Sequence, residues 1–230
     1  EFPEATSARS SGPYDVLLIE GSVSVQEHVE RLPELRRQAK FLVTIGACAT
    51  AGGIQALRNW ADHDAFRSAV YAHPEFVDSL ATATPISAHV PVDAELRGCP
   101  IDPDQLVELL TALTTGRRPQ LRDEAVCMEC KRQGVVCVMV SKHQPCLGQV
   151  TQTGCGAICP RYGRGCYGCF GPREHANAAG VAQFLQTVGR LPAQDVGRLF
   201  AGFTAYAEPF RSLVGELGGA RTAEAPATKP

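Results

Sequence analysis

Runs of apolar residues alternate with a helical pattern in the first part of the chain. Residues 14–20 (YDVLLIE) form a continuous apolar run followed by glycine, which is typical of a buried parallel strand. A helical pattern follows over about residues 25–40, and a second apolar run covers residues 41–46. A strand, a helix and a strand within about thirty residues make a βαβ unit. The pattern therefore predicts a doubly wound α/β domain over residues 1–120.

Further helices are predicted on both sides of a cysteine-rich segment. Residues 104–114 have the pattern of a helix with proline in its first turn and glycine at its end. Two amphipathic stretches, residues 174–191 and 193–217, are predicted to be helices that pack on the cysteine-rich part. The tail, residues 218–230, is rich in Ala, Pro and Thr and is expected to be disordered.

Eight of the ten cysteines lie in one segment of the second predicted domain, residues 121–217. Their spacing is C-x2-C-x6-C-x8-C followed by C-x3-C-x6-C-x2-C, so each half supplies four thiolates. Short loops let successive thiolates surround a [4Fe–4S] cluster, and the glycines between them let the backbone approach it closely. The first set is Cys127, Cys130, Cys137 and Cys146, and the second set is Cys155, Cys159, Cys166 and Cys169.

Two other uses of these eight cysteines stay open. Four disulfides would suit a small secreted module, but here the cysteines occupy one segment of a long chain that has enough apolar residues for a separate core. Two structural zinc sites are the stronger alternative, because Cys130 and Cys169 close C-x2-C knuckles. The irregular intervals do not pair two knuckles within one site, so the spacing favours iron–sulfur clusters.

The remaining two cysteines are predicted to lie on loops beside the sheet. Cys48 follows the second strand in TIGACATAGG, and Cys99 lies in RGCPID. They are either inert thiols or two ligands of a further cluster, whose other two ligands would come from outside this sequence or from another chain. The functional edge of an α/β sheet lies at the carboxyl ends of its strands, where Glu20 and Cys48 are both placed.

Composition restricts the classes of partner. The chain has 230 residues and a formal net charge of −2, and its Lys and Arg residues are dispersed, so no nucleic-acid or membrane-surface binding is predicted. No apolar run approaches the length of a membrane span, and no G-x-G-x-x-G fingerprint for a dinucleotide is present. The chain opens with Glu1 and has no cationic–apolar leader, so no signal peptide is expected.

Several motifs together resemble the small subunit of nickel–iron hydrogenases. They are LLIEGSVS, TIGACATAGGIQALRNW, ELRGCPID and the cysteine segment as far as GCYGCFGP, and they extend over about residues 1–172. The similarity is greatest to the cytoplasmic kind, the delta subunit of NADP-linked sulfhydrogenases and the corresponding subunit of methyl-viologen-reducing hydrogenases. The resemblance implies a flavodoxin-like parallel-sheet domain followed by a small loop-rich iron–sulfur domain with flanking helices.

The resemblance also implies roles for the cysteines. Cys48 and Cys99 match two ligands of a proximal [4Fe–4S] cluster. The other two belong in the family to an N-terminal CxxC element without a counterpart here, so the chain is expected to begin inside the first domain. The second set matches the medial cluster and the first set the distal cluster. Both have four cysteines, whereas the periplasmic enzymes have a distal histidine and only three medial cysteines.

Glu20 falls in the EGS motif of the same family. The resemblance implies that its carboxylate faces the large subunit near the proximal cluster, where it would order the interface or help to move protons. A solvated loop residue is the alternative, since an acid that follows a strand is commonly exposed.

The resemblance implies a subunit that conducts electrons and does not itself carry the catalytic centre. H2 would be split at a nickel–iron site in a separate large subunit. Electrons would pass from the proximal to the medial to the distal cluster, and a partner subunit with FAD or iron–sulfur clusters would use them to reduce NADP. All-cysteine ligation places more negative charge on a cluster and lowers its potential, which suits a pyridine nucleotide or ferredoxin.

Two other function classes stay open. A quinone-module subunit of the complex I type shares the α/β domain and one cluster, but it would lack the two four-cysteine sets. A zinc-binding scaffold would keep the fold without any redox activity.

Overall fold

A parallel three-stranded sheet lies at the centre of the first half of the chain. In the computed structural model, which describes residues 12–218, β1 (Tyr14–Ile19), β2 (Ala39–Ile45) and β3 (Ala94–Leu96) are ordered β1-β2-β3. All neighbouring strands are parallel, and α1 (Gln26–Gln38) connects β1 to β2. The predicted βαβ unit and the α/β class are confirmed.

β1 is less buried than the sequence predicts. All six of its residues are exposed or half-buried, and Leu18 is 36% exposed. Among the strands of residues 12–218, β1 pairs with β2 alone, so it forms one edge of the sheet. The prediction of a fully buried strand over residues 14–20 is therefore wrong, because no described strand covers the outer side of β1.

Helices cover both faces of the central strand. Leu42 and Val43 are both fully buried, and they point to opposite faces because side chains alternate along a strand. Leu42 packs with Leu32 of α1, and Val43 packs with Leu109 of α4 (Pro103–Thr115). Helical layers on both sides of a parallel sheet are the doubly wound arrangement that the pattern predicts.

The other helices are short, and loops connect them through the cysteine-rich segment. Between the strands, α2 (Gly46–Ala51) follows β2 directly and α3 (His63–Val70) comes after a 3₁₀ segment, Ile54–Trp60. Two further 3₁₀ turns cover Pro74–Phe76 and Ile86–Ala88. The second half contains α5 (Val126–Arg132), α6 (Val138–Lys142), α7 (Ile158–Arg161), α8 (Ala178–Thr187), α9 (Ala193–Phe200) and α10 (Phe210–Gly218).

A second hydrophobic core lies between the last three helices and the cysteine-rich segment. The rings of Phe200 and Phe210 are buried and meet edge to face, with 5.1 Å between their centroids. Leu147, from the loop after α6, packs into the same cluster. The C-terminal helices therefore support the cysteine segment, as their amphipathic pattern predicts.

The single helix predicted over residues 193–217 is wrong, because α9 and α10 are separated by residues 201–209. Pro209 has no amide hydrogen and disfavours helical conformation in the residue before it. Thr204, buried within this break, donates its hydroxyl to the carbonyl oxygen of Gly168 (2.8 Å) and so ties the break to the cysteine segment. Gly218 still belongs to α10, and the rest of the predicted disordered tail lies outside the described residues.

The helix predicted over residues 174–191 is shorter than expected. It covers Ala178–Thr187, because the Asn177 side chain caps its start by accepting a hydrogen bond from the amide of Gly180 (2.8 Å). No helix within residues 12–218 is both long and apolar enough to cross a membrane.

Candidate metal centres

Three of the predicted site residues lie together at the carboxyl edge of the sheet. Glu20 follows β1, Cys48 lies in the first turn of α2 after β2, and Cys99 follows β3. The amide of Ala47 donates to the carbonyl oxygen of Gly98 (2.9 Å), which joins the two cysteine-bearing loops. Glu20 and Cys99 are exposed, so this edge is open to a partner.

The surroundings of Cys48 disfavour its thiolate. Burial raises the pKa of the Cys48 thiol, and the neighbouring Cys99 and Glu20 raise it further, while a hydrogen bond with Gln55 has the opposite effect. Gly53 packs directly against the sulfur: a Cβ atom there would lie 2.5 Å from Cys48 Sγ. A thiolate at Cys48 therefore needs positive charge beside it, which a bound metal supplies.

The first set is carried by α5, α6 and the loop after α6. Cys127 and Cys130 lie three residues apart on α5 and so share one side of it, Cys137 precedes α6, and Cys146 is buried in the loop. Burial raises the pKa of Cys130 to about 11, and the other three thiols of the set add to this rise. The thiols of Cys127 and Cys146 both lie beside Gly148, where an added Cβ atom would be 3.6 and 3.5 Å from their sulfurs.

The second set surrounds α7. Cys155 lies in the loop before α7, Cys159 lies on α7, and Cys166 and Cys169 lie in the loop that follows. Burial raises the pKa of Cys169 to about 11, with further contributions from Cys155 and Cys159. Cys166 is 8% exposed, and its burial also raises its pKa far above the usual value.

Direct contacts run from the sheet edge through the second set to the first. Gly98 and Phe170, the chain neighbours of Cys99 and Cys169, pack together: a Cβ atom at Gly98 would lie 2.6 Å from the Phe170 ring. The amide of Cys166 donates to Cys146 Sγ (3.1 Å), and these two cysteines share one hydrophobic cluster. The second set therefore lies between Cys99 and the first set, although it comes last in the chain.

The donor atoms fit iron–sulfur clusters better than the alternatives. All ten cysteines are free thiols, which argues against the four-disulfide alternative. Nowhere in residues 12–218 do three His, Cys, Asp or Glu side chains converge closely enough for a single metal ion. Each set supplies the four thiolates that a [4Fe–4S] cluster takes, and its irregular spacing does not pair two zinc knuckles within one site.

The sequence reasoning missed Glu129. It lies on α5 between the first two cysteines, it is only 9% exposed, and its carboxylate accepts hydrogen bonds from the amides of Gly154 (3.1 Å) and Ala157 (3.0 Å). These two amides lie on either side of Cys155. An acid next to a helical cysteine ordinarily indicates a solvated position, so only the fold shows that this one is buried.

The α/β half of the chain matches a known family model. Residues 2–113 match the model described as NADH ubiquinone oxidoreductase, 20 Kd subunit. The matched range contains Cys48 and Cys99 and ends before the eight remaining cysteines. The family match alone therefore leaves the function of the second half undetermined.

Relatives that are similar along most of the chain show to which family the whole chain, including its second half, belongs. Sulfhydrogenase 2 subunit delta of Pyrococcus furiosus is 37% identical over 207 residues, which is 90% of this chain and 85% of that protein. A vhu subunit of the F420-non-reducing hydrogenase of Methanocaldococcus jannaschii is 30% identical over 201 residues, covering 73% of this chain and 69% of that protein. The chain therefore belongs to the small-subunit family of the nickel–iron hydrogenases, the oxidoreductases that act on H2, and it is similar to the delta subunits of sulfhydrogenases.

Proposed function

We propose that this chain relays electrons through [4Fe–4S] clusters between the nickel–iron site of a large subunit and an acceptor subunit. The observation that carries the proposal is the line of contacts from the sheet edge to the first set: Gly98, beside Cys99, packs on Phe170, beside Cys169, and the amide of Cys166 donates to Cys146 Sγ. When bound, a [4Fe–4S] cluster supplies one-electron redox chemistry. The chain contributes the thiolates, the burial that keeps water away from them, and the close spacing of the sets.

In this proposal the second set holds the medial cluster and the first set holds the distal cluster. Cys48 and Cys99 supply two ligands of a proximal cluster at the carboxyl edge of the sheet, beside the large subunit. The other eight cysteines are already used by the two sets, so the remaining proximal ligands come from outside this sequence. Glu20, exposed at the same edge, faces the large subunit.

The acceptor is proposed to be a cytoplasmic subunit with FAD that reduces NADP. Four thiolates at both sets give each cluster more negative charge than mixed ligation would, and this favours the low potentials that a pyridine nucleotide requires. The resemblance of the sequence motifs to the delta subunit of NADP-linked sulfhydrogenases implies the same class of acceptor.

The first experiment measures iron, acid-labile sulfide and zinc per chain in the complex purified anaerobically with its partner subunits. EPR spectra are recorded after reduction with dithionite. About twelve irons per chain would mean three clusters, and about eight would mean that only the two four-cysteine sets are loaded. Zinc without sulfide would overturn the proposal and favour the zinc scaffold.

Exposed basic and apolar side chains surround the proposed distal end. Residues 126–170 contain five Lys or Arg residues and a single acid, the buried Glu129. Lys142 ends α6 and reaches the backbone of Gly163, which follows the exposed Arg161 and Tyr162. Val140 on the same short helix is 77% exposed. Such a surface fits an acidic acceptor subunit that is also partly apolar.

Reversing two of these charges tests the acceptor surface. The double variant Lys142→Glu/Arg161→Glu is expected to slow electron transfer to the acceptor subunit roughly tenfold at low salt, with a smaller effect at high salt, because charge steering is screened. Stopped-flow measurements over a range of ionic strength check this, with Arg118→Glu in the exposed linker as the matched charge reversal. A loss of iron with no change in rate per loaded chain would show that the cations only compensate cluster charge.

A further inference from the structure

Glu129 is a buried carboxylate that has no salt bridge in the part of the chain the structure describes. It is 9% exposed, and Lys131 and Arg132 on the same helix do not pair with it. Arg132 pairs with Glu124 instead. Burying a carboxylate without a cation is costly unless hydrogen bonds compensate it, so the position requires a structural explanation.

Hydrogen bonds from one short loop of the second set compensate the burial of the Glu129 carboxylate. Glu129 Oε1 accepts from the amide of Gly154 (3.1 Å), and Oε2 accepts from the amide of Ala157 (3.0 Å). Cys155 lies between these amides, with its Sγ 3.9 Å from Oε2. A second tie comes from Gln133, just after α5, whose side-chain amide donates to the carbonyl oxygen of Gly156 (3.2 Å).

This loop has positive φ angles at three positions, and one of the three is not a glycine. The φ angles are +140° at Gly154, +65° at Gly156 and +51° at Ala157. Ala157 has a Cβ atom, is fully buried and still adopts the left-handed conformation. Such conformations persist where the surroundings fix them, and the bond from Ala157 to Glu129 is one of the contacts that does so.

We propose that Glu129 is the positioning residue of the second set: it fixes the loop that carries Cys155 and ties it to the helix that carries Cys127 and Cys130. The inference rests on the proposed function, because it concerns how the second set receives its cluster. Glu129 touches no substrate and acts through Cys155. By joining the two sets, it also fixes their separation.

The chemistry of the contact requires a carboxylate of this length. Both backbone partners of Glu129 are N–H donors, so each of its two oxygens must accept. A glutamine would present an NH2 group to one of the two amides and leave that amide without a partner. An aspartate keeps two acceptors but is one methylene shorter, so it cannot reach both amides at once.

The test compares Glu129→Gln and Glu129→Asp with the wild type in the anaerobically purified complex. Iron and sulfide per chain are measured, and the EPR signals of the clusters are followed in a redox titration. The signal of the second set is identified by its conversion in Cys159→Ala. We expect Glu129→Gln to lose that signal, together with about four irons per chain, while the signal of the first set keeps its intensity and midpoint potential.

The matched control is Glu124→Gln, which removes a more exposed carboxylate from the same segment and should leave both signals unchanged. Equal loss of both signals in Glu129→Gln, or no change in the second, would overturn the inference. If Glu129→Gln does not accumulate as a folded complex, Glu129→Asp decides by the same criterion, and failure of both variants to fold counts against a selective role. Absence of iron and sulfide from the wild type would refute the proposed function instead.

Discussion

Replacing Cys159 with alanine is expected to leave the complex folded and to convert the proposed medial cluster toward a three-iron form of higher potential. Cys159 lies at the surface of α7 and is only partly buried, so its loss opens no cavity in the core. The other three thiols of the second set remain to hold a cluster. One thiolate fewer means less negative charge around the irons, which raises the reduction potential.

EPR of the oxidised complex and iron analysis check this prediction. The expected result is about one iron fewer per chain and a new signal that titrates at a more positive potential, with the distal signal unchanged. Ile158→Ala is the matched control, because Ile158 is the preceding residue on the same helix, is 52% exposed and has no donor atom. A spectrum that Cys159→Ala leaves unaltered would mean that Cys159 is not a ligand.

Cys166→Ala should have a broader effect than Cys159→Ala. Cys166 is 8% exposed and belongs to the hydrophobic cluster that also contains Cys146 of the first set. Its loss therefore removes a ligand and also loosens the packing between the sets. We expect Cys166→Ala to change the EPR signals of both cysteine sets and Cys159→Ala to change only that of the second set. This difference would show that the more buried thiol also supports the packing between the sets.

The sheet and its functional edge could be predicted because both depend on local patterns. An apolar run, a helical pattern and a second apolar run are enough to specify a βαβ unit with parallel strands. Parallel strands bring their carboxyl ends to one edge, so residues that follow different strands must meet there. Glu20 and Cys48 lie at one edge for this reason, whereas Cys99 follows β3, a three-residue strand that the sequence pattern did not predict.

The spatial order of the two cysteine sets could not be predicted from their spacing alone. In the chain the first set comes directly after the α/β domain, yet the end of the second set is the part that packs beside Cys99. The chain returns to the sheet at Phe170, whose ring packs on Gly98. Arg97 strengthens this return by donating to the carbonyl oxygen of Pro172 (2.7 Å). The resemblance to hydrogenase small subunits implied this order; the residue pattern by itself did not.

Glu129 and the break between α9 and α10 escaped prediction for a related reason. A glutamate on an amphipathic helix and a polar threonine near a proline both look solvated in sequence. Each is buried because its partner comes from a distant loop: the Gly154 and Ala157 amides for Glu129, and the Gly168 carbonyl for Thr204. Patterns with helical or strand period carry no record of such contacts.

The junction between the sheet edge and the second set should be highly sensitive to Gly98. Gly98 has a φ angle of +126°, and a Cβ atom there would lie 2.6 Å from both the Phe170 ring and the carbonyl oxygen of Pro100. The conformation costs an alanine about 1–3 kcal/mol and the overlap costs about 1–3 kcal/mol more. We therefore expect Gly98→Ala to destabilise the chain by about 2–6 kcal/mol and to move Cys99 away from Cys169.

Thermal unfolding and the rate at which H2 reduces the medial signal measure the two effects separately. Gly21→Ala is the matched control, because Gly21 lies at the same edge of the sheet, has a φ angle of +83° and has no atom within 4 Å of the added Cβ. It should cost about 1–2 kcal/mol from conformation alone and leave the rate of reduction unchanged. The contrary result is that Gly98→Ala is destabilised only as much as Gly21→Ala, with its second-set cluster reduced by H2 at the wild-type rate. In that case the contact between Gly98 and Phe170 does not control electron transfer from the sheet edge to the second set. If H2 reduces the second-set cluster more slowly although the iron content is full, electron transfer passes through the junction between Cys99 and Cys169.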